Sequence, residues 1–200
     1  MPAETTTPKL SGRFDEALAY ASRLHRTQER KGSGIPYIGH LLSVSSLVIE
    51  GGGTEDQAIA GLLHDAVEDQ GGAPTLAEIR SKFGDDVATI VEECSDTDQV
   101  PKPPWKQRKQ SYVDHIGYAS KATLLVSLAD KLDNARAILR DHRSDGPAVW
   151  QRFSENDPRE HLWYYRSLLA VYQRHQDGWL VGELERVLDE LEARVDAEQG

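Results

Sequence analysis

Gly61-Leu62-Leu63-His64-Asp65-Ala66-Val67-Glu68-Asp69 reads as an apolar helix interrupted by four ionisable residues. Ala58, Ile59, Ala60, Leu62, Leu63, Ala66 and Val67 give it a buried character, and Thr54-Glu55-Asp56-Gln57 ahead of it is a capping-box pattern. The spacing predicts one helix from Thr54 to about Asp69. On that helix His64 and Glu68 stand four apart, Asp65 and Glu68 three, and Asp65 and Asp69 four. One wall therefore presents an imidazole and three carboxylates. Carboxylates this close repel unless a cation lies among them, and a divalent metal removes the repulsion. A solvated charged face is the blander alternative. The apolar surroundings weigh against it, because buried charge without a partner is expensive.

Outward from this segment the pattern stays helical. Arg13 to Gln28 carries an apolar stripe at Phe14, Leu18, Ala21 and Leu24. A basic loop, Arg30-Lys31-Gly32-Ser33-Gly34, precedes a second helix from Pro36 to about Glu50, stopped by Gly51-Gly52-Gly53. Thr75-Leu76-Ala77-Glu78 is a second capping box, opening a short helix that Gly84 ends, and Asp85 to Ser95 supports another. Val100-Pro101-Lys102-Pro103-Pro104 breaks the run. Helices resume at Trp105 to Ile116, Lys121 to about Asp141, Pro158 to His175 and Gly178 to Ala197. No alternating strand pattern or fixed-period repeat is present. The expectation is an all-α, compact multi-helix bundle: a single domain over residues 11–197 behind a loose polar tail, 1–10.

Composition narrows the function. The chain has 200 residues, and its 38% hydrophobic and 28% charged content is that of a globular protein rather than a disordered polymer. Its longest uninterrupted apolar run, Leu168 to Tyr172, is five residues, far short of the roughly 20 a membrane span needs. Met1 to Leu10 has no apolar core of a signal peptide. Cys94 is alone, which excludes an internal disulfide and a thiolate zinc site and suits a reducing cytoplasm. Against 23 basic residues stand 33 acidic ones, a net charge of −10 that opposes binding to a nucleic-acid polymer. A small phosphorylated ligand remains compatible if positive charge is concentrated locally.

Further metal ligands must come from similarly apolar helices. His40 lies in Tyr37-Ile38-Gly39-His40-Leu41-Leu42, and Asp130 interrupts Leu124-Leu125-Val126-Ser127-Leu128-Ala129-Asp130-Lys131-Leu132. Alone, His40 is more often a satisfied core histidine and Asp130 half of an ion pair with Lys131 or Arg136; spacing does not choose. His25, His115, His142, His161 and His175 lie in polar contexts and read as surface or supporting residues.

His40, the pair His64-Asp65 and the distant Asp130 resemble the H…HD…D pattern of the HD superfamily of metal-dependent phosphohydrolases. The blocks Arg30-Lys31…Pro36-Tyr37-Ile38-Gly39-His40, Leu62 to Asp69 and Leu128-Ala129-Asp130-Lys131-Leu132-Asp133-Asn134-Ala135-Arg136 are similar to the hydrolase domain of RelA/SpoT proteins, in its free-standing small alarmone hydrolase form. The likeness spans roughly Phe14 to Leu139. Two departures stand out: Leu41 where the family has proline after the histidine, and Asp133 where it tends to place an aromatic residue or histidine.

The resemblance implies an HD-domain bundle in which His40, His64, Asp65 and Asp130 hold a divalent metal, most often Mn²⁺ in the family. That oxygen and nitrogen set, without sulfur, suits manganese, iron, cobalt or zinc. Glu68 and Asp69 take the role of positioning and deprotonating the attacking water. The implied reaction releases pyrophosphate from the 3′-diphosphate of ppGpp or pppGpp, leaving GDP or GTP. The substrate's charge needs cations, and Gln99 to Val113 contains no acid but carries Lys102, Lys106, Arg108 and Lys109. Lys106, Arg108 and Lys109 are expected to contact phosphates, though a solvated basic face is an equal alternative for each. The family sets the Arg30-Lys31 position against the nucleobase, where a guanidinium stacks on a ring. Asn134 is placed to hydrogen-bond ribose, and Tyr164 and Tyr165 to wall the pocket or simply fill the core. The runner-up activity is an NADPH phosphatase or nucleotidase using the same centre, kept open by Asp133. A non-catalytic nucleotide sensor ranks last, because no motif residue is missing. The implied partner is a small nucleotide, with neither membrane nor nucleic acid; the oligomeric state is open.

Overall fold

The computed structural model describes residues 10–96 and 101–198. The expected tail over 1–10 thus falls, apart from Leu10, outside the described residues. Among them are ten α-helices: α1 (Gly12–Leu24), α2 (Ile38–Glu50), α3 (Glu55–Leu63), α4 (Ala66–Gln70), α5 (Ala73–Phe83), α6 (Asp85–Cys94), α7 (Trp105–Ile116), α8 (Lys121–Asp145), α9 (Pro158–His175) and α10 (Trp179–Ala197). A 3-10 helix, Gly146–Arg152, follows α8, and an isolated bridge joins Glu29 to Pro36. The all-α expectation holds.

Helix starts follow local chemistry. Ser11 caps α1 by accepting from the Arg13 amide at 3.2 Å, and Thr54 with Gln57 forms the expected capping box on α3. The Thr75 capping box is absent: α5 begins earlier, at Ala73, because Gly72 (φ +63°) turns the chain directly into it. The Thr75 hydroxyl instead donates to the Gln70 carbonyl at 2.9 Å.

The helix expected from Thr54 to Asp69 is divided. α3 stops at Leu63 and α4 starts at Ala66, with His64 and Asp65 forming a turn between them. The His64 side chain supplies the cause. Its Nδ1 bonds the Gly61 carbonyl at 2.9 Å, the acceptor that the Asp65 amide would use in an unbroken helix. Glu68 and Asp69 consequently lie in the first turn of α4, where the helix dipole favours carboxylates, and not at the unfavourable end of a long helix.

Helices α2, α3 and α8 pack against one another at the centre, with α1 and α6 on α3, and α9 and α10 on α8. One continuous apolar cluster runs from Ala17 to Val195 and includes fully buried Leu41, Leu62, Leu63, Leu128 and Leu132. α8, with 25 residues about 37 Å long, is the spine. Close approach of α2 and α3 depends on Gly61, whose Cβ, if present, would lie 3.2 Å from the Ser45 Cα. Ser45 reinforces the contact by donating to the Ala58 carbonyl at 2.9 Å.

This geometry predicts that Gly61→Val destabilises the protein by about 1–3 kcal/mol, the usual cost of overpacking. Urea unfolding measures it, and an unchanged midpoint would mean that the two helices can part freely.

Candidate metal centre and adjoining pocket

Three helical segments converge on one buried point. His40 comes from the first turn of α2, His64 and Asp65 from the turn between α3 and α4, and Asp130 from the middle of α8. Both histidines are 2% exposed and Asp130 5%, so each would need a partner. His40, His64 and Asp65 offer ligand atoms all within 4.8 Å of one another. Asp130 joins them, with Oδ1 3.3 Å from His40 Nε2 and 3.5 Å from His64 Nε2. Asp65 Oδ2 lies 3.5 and 3.0 Å from the same two nitrogens.

Tautomers are fixed from behind. A carbonyl only accepts, so the His64 Nδ1 that faces Gly61 carries the proton. His40 Nδ1 lies 2.7 Å from Asp133 Oδ2, again an acceptor, and is protonated for the same reason. With Nε2 deprotonated, each ring turns a lone pair inward, and neither Nε2 has a hydrogen-bond partner. Two nitrogen lone pairs facing carboxylate oxygens at 3.0–3.5 Å suit a cation held between them. The pull on positive charge is strong. Burial alone would depress the His40 pKa, yet the carboxylates of Asp130, Asp133 and Asp65 raise it to about 9, so that without a metal ion the cluster holds a proton instead. Burial likewise works to raise the carboxyl pKa of Asp65 and Asp130. It is outweighed, chiefly by His64 at Asp65 and by Lys131 and His64 at Asp130, so both stay well below the usual carboxylate range. The residues fit a divalent metal with nitrogen and oxygen ligands.

The same carboxylates also accept from protein donors. Tyr37 donates to Asp65 Oδ2 at 2.5 Å, and Asp130 receives Lys131 at 2.5 Å and the Asn134 amide. The Asp130–Lys131 ion pair therefore exists alongside the approach to the histidines, while Arg136 turns away to Glu183. Glu68 accepts from Lys102 Nζ at 2.7 Å. Asp69 accepts from Gln28 Nε2 at 2.7 Å, and Gln28 is itself held by His25 Nδ1 at 2.7 Å. Desolvation, then the neighbouring Asp65 charge, raise the Asp69 pKa against the opposing Gln28 bond.

Tyr37, Lys131 and Asn134 also line a cavity of about 310 Å³. Arg30, Lys31, Lys109, Lys131 and Arg152 bring five cations to it against one acid, Asp141. Trp105, Phe153, Tyr164 and Tyr165 supply aromatic walls. Of the expected substrate contacts, the structure brings Arg30, Lys31, Lys109 and Asn134 to this cavity but not Lys106 or Arg108. Lys106 sits over the Trp163 ring, 3.1 Å from its centroid, and pairs with Glu160; Arg108 pairs with Asp96. Lys109 Nζ shares Asp96 with Arg108, at 3.0 Å, while Lys106 points to another helix, so the basic run does not converge on the cavity as a unit. His25, His142 and His161 are buried rather than superficial. His25 stacks on Tyr37, and His161 is ringed by Trp105, Trp150 and Phe153, contacts that a polar local sequence does not show.

Arg152 is a cavity cation that no sequence pattern singled out. Its guanidinium bonds Asp141 at 2.8 Å and Asp145, and its stem lies so close to Gly32 (φ +72°) that a Cβ there would come within 2.8 Å of Arg152 Cγ. The 3-10 helix and the basic loop thus pack together where both line the cavity. Only the Gly146-Pro147 pair hinted at a turn in that region.

Comparison with known proteins agrees with this arrangement. The HD domain family matches residues 17–156, and the chain belongs to that family. It is similar to the guanosine-3′,5′-bis(diphosphate) 3′-pyrophosphohydrolase MESH1 of Xenopus tropicalis, 41% identical over 145 residues, covering 70% of this chain and 76% of the relative. The Homo sapiens protein of the same name is 40% identical over 128 residues, covering 62% and 69%. A solved structure of a metazoan SpoT orthologue that hydrolyses ppGpp superposes with a TM-score of 0.73 at 26% identity, over 91% of this chain and 97% of that one. No helix among the described residues is long and apolar enough to cross a membrane.

The facing lone pairs predict thermal stabilisation by divalent ions. At an ion concentration 100 times Kd the gain is about 2.7 kcal/mol, read by calorimetry and reversed by a chelator. Asp65→Asn and His64→Ala are each expected to remove most of it.

Proposed function

We propose that the chain hydrolyses the 3′-diphosphate of the guanosine alarmones ppGpp and pppGpp, yielding GDP or GTP and pyrophosphate, with Mn²⁺ as cofactor in the cytoplasm. The observation that carries this reading is the junction of a His₂Asp₂ cluster with a cavity lined by five cations in a protein of net charge −10. The relatives' names support the substrate and favour it over NADPH or a simple nucleotide. The sulfur-free donor set accommodates manganese as it does iron, cobalt or zinc, and the resemblance to the alarmone hydrolases selects manganese among them; the lone Cys94 suits a reducing compartment. Nothing in the acidic surface invites a nucleic-acid polymer.

In this reading His40, His64, Asp65 and Asp130 hold the ion, which when bound lowers the pKa of a water and offsets charge on the phosphoryl oxygens. Asp69, with Glu68 beside it, would accept one proton from the attacking water. The raised Asp69 pKa makes that carboxylate a better base than an exposed aspartate. Lys109 and Lys131 offset the diphosphate charge, with Tyr37 anchoring Asp65 beside them. Arg30 and Lys31 meet the nucleoside across the aromatic wall, and Asn134 offers its remaining amide atoms to ribose. Lys106 and Arg108 act at most from outside the cavity.

Purified protein with Mn²⁺ and ppGpp should release pyrophosphate, not inorganic phosphate. Glu68→Gln/Asp69→Asn should lose about 10²–10⁴-fold in kcat. Lys109→Ala should raise KM by about tenfold, the loss of one charge-assisted contact, and by more than Lys106→Ala does. No pyrophosphate with any of several divalent metals would sink the reading.

A further inference from the structure

We propose that Asp133 is a positioning residue: it holds His40 in the one tautomer that can bind the metal and shields it from Arg30. The inference rests on the metal reading above and concerns how this chain secures one ligand of that centre.

Asp133 follows Asp130 by less than a turn of α8 and faces α2. Its Oδ2 lies 2.7 Å from His40 Nδ1 and also receives Arg30 Nη2, while Oδ1 receives the Ser43 hydroxyl. Three donors from two other segments thus fix the carboxylate. Arg30 Nη2 is itself only 2.9 Å from His40 Nδ1. Two arrangements of protons are conceivable at that nitrogen. Were Nδ1 bare, Arg30 could donate to it, but the ring would then carry its proton on Nε2, aimed at the cation position. Asp133 decides the matter. A carboxylate oxygen 2.7 Å from a bare nitrogen would set lone pair against lone pair, whereas a protonated Nδ1 makes a charge-assisted hydrogen bond. The proton therefore sits on Nδ1, and Nε2 is free to ligate. Arg30, unable to accept anything, is satisfied by the same oxygen instead of by the ring.

This arrangement differs from that of His64, whose Nδ1 is held by a main-chain carbonyl that no substitution can remove. His40 depends on a side chain, and removing that side chain leaves a guanidinium as the nearest partner of Nδ1. The consequence is specific. Asp133→Ala lets Arg30 donate to Nδ1 and pushes the His40 proton onto Nε2. Asp133→Asn is the conservative variant: Arg30 and His40 share the Oδ2 position, so the amide oxygen stays there and accepts from both, while the amide nitrogen turns to the Ser43 hydroxyl and the tautomer is kept.

The test uses the full chain. Isothermal titration with Mn²⁺ measures affinity for the wild type, Asp133→Ala, the near-isosteric Asp133→Leu and the conservative Asp133→Asn, with circular dichroism to establish folding. Long-range ¹⁵N–¹H NMR spectra read the His40 tautomer in the metal-free protein at a pH above the raised His40 value of about 9, where the ring is neutral. The expected result is affinity weakened about 10–100-fold in Asp133→Ala and Asp133→Leu, with a His40 signal that changes from Nδ1–H to Nε2–H while His64 stays as it is; Asp133→Asn stays near the wild type in both readouts. Asp133→Leu serves if the alanine variant does not fold. A folded alanine or leucine variant that binds Mn²⁺ as tightly as the wild type, or that keeps the Nδ1–H tautomer, would overturn the proposal. A wild-type protein that binds no divalent ion would overturn the metal reading itself, a result distinguishable because it does not depend on Asp133.

Discussion

Two imidazole nitrogens and two carboxylates meet in a cluster where only Asp65 keeps appreciable exposure, 22% of its side chain, and the rest of the molecule is arranged to keep them there. Bringing Asp65 and Asp130 together out of water is unfavourable, because each loses hydration and neither can supply a proton donor to the other. The fold answers with rigid supports. α8 carries Asp130 through the centre of the core, and α2 and α3 approach closely enough, at Gly61 and Ser45, to set both histidines opposite it. Hydrophobic packing around Leu41, Leu62, Leu63 and Leu132 holds the cluster closed. Apolar packing thus backs the polar site, which meets the cation-lined cavity at Tyr37, Lys131 and Asn134.

The break between α3 and α4 shows how a site can alter the helix that carries it. His64 takes the Gly61 carbonyl for its own ring, the helix ends, and a new helix starts after two residues. That restart gives Glu68 and Asp69 a helix N-terminus to sit on. What one residue removes from the backbone as a hydrogen bond it returns as tautomer control, since the carbonyl settles where the ring proton lies.

Most of the helices were legible in the residues because apolar spacing, caps and breaker residues agree with one another. α7 and α9 start and stop where Trp105, Ile116, Pro158 and His175 suggest. The division of α3 from α4 was not legible, since an apolar 3.6-residue rhythm runs straight through it and the interruption comes from a side chain. The meeting of His40, His64, Asp65 and Asp130 was visible only through resemblance; periodicity leaves their partners open, and Asp130 does pair with Lys131 as its local sequence suggests. The basic run on α7 misled in part, because composition reports that cations are near one another along the chain and not which way each points. Arg152 and the buried states of His25, His142 and His161 were beyond reach, as they depend on contacts between distant segments.

Charge around the centre also orders the two halves of the proposed chemistry. Asp65 and Asp130 carry one negative charge each, and the mostly buried Lys131, paired to Asp130 at 2.5 Å and lying 4.9 Å from the centroid of the Tyr112 ring, returns one positive charge. Asp133 and Arg30 cancel one another beside them. With both imidazoles neutral, as ligation requires, these groups sum to one negative charge at the inner end of the cavity, although Lys109, Lys31 and Arg152 line the cavity too. A divalent ion reverses that sign. An anionic diphosphate reaching inward would meet repulsion from the bare carboxylates and attraction once the ion is held between them. Placing Lys131 beside the ligand is what makes one divalent ion sufficient for the reversal: without it, two carboxylates and one ion would only reach neutrality.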